Sequence, residues 1–419
     1  MNSNGNLTLI GPFTQLISLS KLPLKGALRD EELEIIENAG IIYEDDTIVE
    51  IDKFDILKSK FSNAITEEHY LTNSSIAFPG FVDAHTHICF AGSRANDFAM
   101  RNAGKSYLEI ARSGGGIWDT VQKTRQATIE ELVSLSSDRL MKQVRNGITT
   151  CEIKSGYGLS VKEELKMLQV IDQLKQDSPI DIVSTCLAAH IFPKDYSGTI
   201  SDYLEEISRG LFPIIKAQNL ANRIDAFIEE EAFSKSVIRP YFEQAKSYGF
   251  DITVHADQFS CSGSEVAIEH GALSADHLEA SGQKEILALA NSDIIPMALP
   301  GASIGIGCDY TPARKLLDAG ASLAIASDWN PGSAPMGDLI TQASVLATFE
   351  KLSTAEVLAG ITFRAAAALN LHDRGRIVKG QKADLTCFEV SDYREVLYHQ
   401  GQLKPNLVIA SGKLVYGPK

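Results

Sequence analysis

Between residues 80 and 372 the chain alternates between short apolar runs and amphipathic stretches with little interruption. The apolar runs fall at 81–90, 148–154, 182–189, 224–230, 251–257, 273–278, 293–299 and 322–328. Runs of this length and composition read as strands buried on both faces, as in parallel sheets. Helix starts lie between them: Thr128-Ile-Glu-Glu131, Ser160-Val-Lys-Glu163 and Ser353-Thr-Ala-Glu356 have the form of a capping box. Gly147, Gly249, Gly271 and Gly320 sit where helices should end in a left-handed residue. Eight strand–helix units predict an α/β chain folded as a (β/α)8 barrel. A doubly wound open sheet is the competitor, but no Gly-rich dinucleotide fingerprint follows an early strand.

The two ends read differently. Gly40 to Ile51 is two apolar runs joined by an acidic turn, and Val408 to Tyr416 is a second hairpin bent at Ser411-Gly412. A further strand is expected at 383–388. The expected organisation is a small β-sandwich domain assembled from residues 1–78 and 373–419, with the barrel (79–372) between its halves.

Net charge over the 419 residues is -15, which argues against nucleic acid or an anionic membrane as partner. A small anionic ligand remains compatible if its site carries a local cation. Six scattered cysteines, without a CxxC pair, form neither a disulfide framework nor a cysteine zinc site. No stretch approaches the roughly 18 apolar residues of a membrane span. The N-terminal residues lack signal-peptide character, so a cytoplasmic enzyme is the expectation.

In a barrel, chemistry collects at the C-terminal ends of the strands. Strand one ends in His85 and His87, strand three in His190, strand five in His255, strand six in His277 and strand eight in Asp328. Five of the nine histidines therefore fall at strand mouths. His85 and His87, two apart in an extended segment, share a face. Imidazoles and a carboxylate suit zinc or iron, and an open site of that kind lowers the pKa of a bound water from 15.7 toward about 7. Asp328 could contact the metal and accept a proton.

Several stretches together resemble the amidohydrolase superfamily: Pro79-Gly-Phe-Val-Asp-Ala-His-Thr-His87 and the segment from Thr362 to Leu385. Within it the chain is similar to the imidazolonepropionases. That likeness is carried by Phe90–Arg94, Gly104–Ile110, Gly114–Ile117, Glu152–Leu159, His255-Ala-Asp-Gln258, Ser274–Leu278 and Ser327-Asp-Trp-Asn-Pro-Gly-Ser333. The resemblance implies one metal, zinc or iron, held by His85, His87, His255 and Asp328. The fourth strand has no lysine to bridge a second ion, and Lys154 ends strand two instead.

It also implies a small anionic heterocyclic substrate, imidazolone-5-propanoate, opened to N-formimidoyl-glutamate in histidine degradation. Arg94 would receive the carboxylate tail. Tyr107, Tyr157, His190, Gln258, Asn330, Gly332 and Ser333 would contact the ring or the product. Asp328 and His277 would be the catalytic groups. Gln258 stands where related deaminases carry a glutamate; an amide has no titratable proton, so its expected role is hydrogen bonding to substrate. A homodimer is expected from the resemblance. Gly114–Gly116 reads as a loop over the site mouth, or as a plain connector. The rival readings are a mononuclear deaminase of a heterocyclic amine and an inactive binding protein on the same scaffold.

Overall fold

The computed structural model describes residues 6–418 except 106, 230 and 231, and the side chains of Tyr107, Leu108 and Ala111 are likewise outside the described set. Two eight-stranded sheets divide the strands. The first uses both ends of the chain: β1 (Leu7–Ile17), β2 (Ile35–Glu44), β3 (Thr47–Lys53), β4 (Ile65–Tyr70) and β5 (Ile76–Pro79). The second is the parallel barrel: β6 (Phe81–Asp83), β7 (Ile148–Lys154), β8 (Asp181–Ala189), β9 (Arg223–Ile228), β10 (Asp251–Ala256), β11 (Ser274–His277), β12 (Ile295–Ala298) and β13 (Ala324–Ile325). β14 (Leu385–Phe388), β15 (Leu407–Ala410) and β16 (Lys413–Tyr416) then return to the first sheet.

The helix starts expected from sequence are present. Thr128 caps Ile129–Arg145 and Ser353 caps Thr354–Gly360 with reciprocal capping boxes, and Ser160 accepts from the Glu163 N–H. Gly147, Gly249, Gly271 and Gly320 all have positive φ, where a residue without Cβ is least strained. Both terminal hairpins form, β2 with β3 and β15 with β16. Their first sheet is joined across the chain by antiparallel pairing of β5 with β14. Its inner face buries Ile10, Phe13, Ile41, Ala77, Leu385 and Ile409.

The first and last barrel strands are shorter than their apolar runs. β6 stops at Asp83, although the run continues to residue 90, and β13 has only two residues. The ladder is replaced by an irregular seam. Thr86 and Trp329 form an isolated parallel bridge. The Asp328 N–H donates to the His85 carbonyl at 3.0 Å, and the His87 N–H to the Trp329 carbonyl at 2.9 Å. Deeper in the seam, Asp83 accepts from the Ser327 N–H at 2.9 Å, the Ser327 hydroxyl at 2.5 Å and the Gln143 amide at 2.7 Å. Burial pushes the Asp83 carboxyl up to about 6, against those hydrogen bonds.

The seam therefore closes the barrel through one buried carboxylate and two main-chain bonds. Asp83→Ala should leave three buried donors without an acceptor, and a loss of about 3 kcal/mol or more is expected in urea unfolding. An unchanged midpoint would show that the seam does not depend on Asp83.

Candidate metal centre and cavity

Along β7, β9, β10 and β11 polar residues alternate with apolar ones, so their side chains share the barrel's inner face. Glu152, Lys154, Arg223, Asp225 and Asp276 form a fully buried layer. Lys154 Nζ lies 2.9 Å from Glu152, 2.9 Å from Asp225 and 3.8 Å from Asp276. Arg223 adds a second cation, 3.4 Å from Glu152.

Above this layer stand the imidazoles. His85 Nδ1 is 2.7 Å from Asp276 Oδ2. His255 Nδ1 is 2.9 Å from Asp225 Oδ2, at a poorer angle. With a carboxylate on Nδ1, each ring carries its proton there and turns an Nε2 lone pair to the barrel axis. Burial drives His85, His87 and His255 below the usual histidine range, toward the neutral form that metal ligation requires.

The distances suit a cation. His87 Nε2 is 3.2 Å from His85 Nε2 and 3.3 Å from His255 Nε2. Asp328 Oδ1 lies 3.4 Å from His87 Nε2 and 3.6 Å from His85 Nε2. Four tetrahedral donors bound at 2.0–2.1 Å would stand ~3.3–3.4 Å apart. A proton on His87 could serve at most one of its two imidazole neighbours, whereas a cation among the lone pairs serves all of them. Charge agrees: with Asp328 and the buried carboxylates ionised, the assembly carries two more negative charges than positive, the balance a divalent ion neutralises. Burial otherwise pushes the Asp328 carboxyl up to about 7.

His277 stands beside the cluster, its ring centroid 5.4 Å from that of His255. Its Nδ1 is 3.4 Å from the buried Glu279 carboxylate. Burial lowers the pKa of this imidazole, but Glu279 and then Asp328 more than offset that and leave it raised. His277, Leu278 and Asp328 all have positive φ, a strained backbone that recurs at functional sites. The Thr311 hydroxyl bonds the His277 carbonyl and helps hold that turn.

A cavity of about 780 Å³ opens above these groups. It is lined by His87, His255, His277 and Asp328 at its floor and by Arg94, Tyr157, His190, Gln258, Asn330, Gly332 and Ser333 around its walls. His85 lies beneath it. Tyr107 begins the helix Tyr107–Arg112, but its side chain is outside the described residues. The His190 Nδ1 pairs with the Gly156 carbonyl at 3.0 Å, leaving Nε2 for a ligand, and burial pulls this imidazole down to about 3. Tyr157 is buried against His190 and His87. The Gln258 side chain has no hydrogen-bond partner among the described residues.

Arg94 donates from Nε to Asp97 at 2.8 Å. Its guanidinium lies so close over Gly332 that a Cβ there would stand 2.2 Å from Nη1. Asn330 is engaged within its own loop: its carbonyl oxygen accepts from the Gly332 and Ser333 N–H groups, and its amide donates to Asp328 Oδ2 at 2.9 Å. It thereby fixes the carboxylate so that Oδ1 faces the imidazoles. The Gly116 N–H donates at 2.8 Å to Asp97, which lines the cavity.

Sequence reading missed Asp225 and Asp276 as partners of the histidines and Glu152 in the charged layer beneath them, and placed Lys154 only by exclusion. The available signal was charge at alternate positions of apolar strands: Glu152-Ile-Lys154, Arg223-Ile-Asp225 and Ser274-Ala-Asp276. Among the described residues no helix is long and apolar enough to cross a membrane.

Comparison with known proteins agrees with this architecture. The pattern of the Amidohydrolase family matches residues 76–415. The imidazolonepropionase of Bdellovibrio bacteriovorus is 39% identical over 393 residues, covering 93% of this chain and 92% of that protein. That of Fusobacterium nucleatum is also 39% identical, covering 92% and 94%. Among solved structures, a triazine hydrolase variant aligns with a TM-score of 0.73 at 16% identity over 98% of this chain and 95% of that one. An adenosine deaminase from Xanthomonas campestris with bound zinc aligns with a TM-score of 0.72 at 16% identity, over 99% and 93%.

If Asp276 orients His85, Asp276→Ala should weaken metal binding about 10- to 100-fold, measured by competition with a chromophoric chelator. Undiminished affinity would remove Asp276 from the metal's support.

Proposed function

The chain belongs to the amidohydrolase family and, within it, to the imidazolonepropionases, and on that footing we propose that it hydrolyses the ring amide of 4-imidazolone-5-propanoate to N-formimidoyl-L-glutamate. The observation that carries this reading is the pairing of a three-imidazole, one-carboxylate donor set, at and just beneath the floor of one cavity, with the Arg94 guanidinium on its wall.

His85, His87, His255 and Asp328 would hold one ion, zinc or iron. When bound, it supplies Lewis acidity and an activated water at neutral pH. Asp328, with Oδ2 fixed by Asn330, is the acceptor for the proton that water gives up as it adds to the ring carbonyl. His277, kept basic by Glu279, donates a hydrogen bond to the carbonyl oxygen as negative charge develops there. The carbon–nitrogen bond then breaks, and the proton held by Asp328 goes to the leaving nitrogen. Arg94 receives the carboxylate tail, and Tyr157 and His190 border the ring. Gln258 offers its amide to the substrate, with Gly332 and the Ser333 hydroxyl bordering it nearby. Tyr107 belongs to the same reading as a substrate contact. The enzyme is taken to act in the cytoplasm as a homodimer.

Metal quantification combined with turnover tests the proposal. One zinc or iron per chain is expected, with N-formimidoyl-glutamate formed, no ammonia released, and activity lost on chelation and recovered on reloading. Ammonia from a heterocyclic amine, with imidazolonepropanoate untouched, would establish the deaminase instead. A folded protein that takes up neither metal would favour the inactive scaffold.

His277→Ala should lower turnover by roughly 10²- to 10⁴-fold while metal content is retained; near-normal turnover would remove His277 from the chemistry. Gln258→Glu should give no large acceleration, and a strong one would return proton transfer to position 258.

A further inference from the structure

The helix Ala95–Asn102 and the residue before it carry Arg94, Asp97 and Arg101 at positions that share one face. All three line the cavity, as does Lys105. Their charges are not equally matched. Arg94 already has Asp97 on its Nε at 2.8 Å. Lys105 is paired with Glu109 at 3.0 Å. The Arg101 side chain has neither an ion pair nor a hydrogen bond among the described residues: its Nε and Nη2 are buried without any partner.

Those two nitrogens form the edge of a guanidinium that a carboxylate accepts side-on, through two parallel hydrogen bonds. Burying that edge unmatched is disfavoured, and burial, reinforced by the nearby Arg94 charge, lowers the Arg101 pKa. Both nitrogens are shielded in this rotamer, so engagement requires the outer torsions to turn toward the cavity that the side chain already borders. That turn gives up the guanidinium's contact with the Phe98 ring, 5.9 Å from its centroid, but no hydrogen bond or ion pair among the described residues.

We propose that Arg101 is a specificity-determining residue that pairs with the carboxylate tail of the substrate, supplying the uncompensated positive charge that Arg94, matched by Asp97, does not. Arg94 then orients the tail over Gly332 while Arg101 neutralises it. The identity of the tail rests on the ring-hydrolysis reading above; the anion-binding role of Arg101 does not.

The test uses the metal-loaded full chain and its Arg101→Met and Arg101→Lys variants. For imidazolonepropanoate, R101M should raise KM roughly 10- to 100-fold, the worth of a charge-assisted contact, with kcat nearly unchanged; R101K should recover part of the loss. For the neutral methyl ester of the same substrate, wild type and R101M should have equal kcat/KM, which a merely structural role would not produce. Glutarate binding by calorimetry should weaken at least tenfold in R101M; should that variant not fold, Arg101→Gln replaces it. An unchanged KM, or an equal loss with the ester, overturns the proposal. Absent turnover by the wild type, with glutarate binding still dependent on Arg101, would sink the ring-hydrolysis reading and leave the anion site standing.

Discussion

The main-chain bond from the Asp328 N–H to the His85 carbonyl is a small contact on which much of the molecule depends. It belongs to the seam that joins the first barrel strand to the last, and the same residues carry two of the four side chains proposed to hold the metal. Closing the barrel and assembling the site are therefore one event. A regular ladder here would have pointed side chains alternately in and out. The seam instead leaves the ladder after Asp83, and the backbone at Asp328 turns through a positive φ. The Asp83 carboxylate, buried and fully hydrogen-bonded, holds the irregular join together.

The support beneath the donors follows a single plan. Asp225 and Asp276 each face an Nδ1, and both lie near Lys154. One ammonium thus ties the orientation of His255 to that of His85. A buried ion cluster is weak evidence of stability, because desolvation can exceed the attraction it gains. Its position here fits fixing the tautomers and orientations of the ligands above it.

Much of this was legible in the sequence, for identifiable reasons. Metal ligation restricts residue type, so histidines at successive strand ends stood out against apolar surroundings. Capping boxes and helix-ending glycines are local signals, and their geometry follows from a few adjacent residues. The inner charged layer was harder to read. Asp225, Asp276 and Lys154 are far apart in sequence, and only the register between neighbouring strands brings them together. Arg101 was invisible for another reason: on a polar helix an arginine looks like a surface residue until the cavity beside it is known. The early end of β6 had no sequence signature either, since the apolar run continues across the residues that leave the ladder. The role of Asn330 likewise depended on seeing its amide engaged with Asp328 and its own turn.

The pairing of β5 with β14 joins residues 76–79 to residues 385–388, and this has a consequence for how the molecule is made. During synthesis the edge of β5 opposite β1 has no partner until residues 385–388 have left the ribosome. An unpaired strand edge is a template for association with other chains. The barrel is under the same delay, because its seam awaits residues 327–329. Nascent protein therefore carries an unpaired strand edge until residues 385–388 are available to cover it. Slower synthesis between residues 79 and 385 would lengthen that exposure without altering the finished molecule.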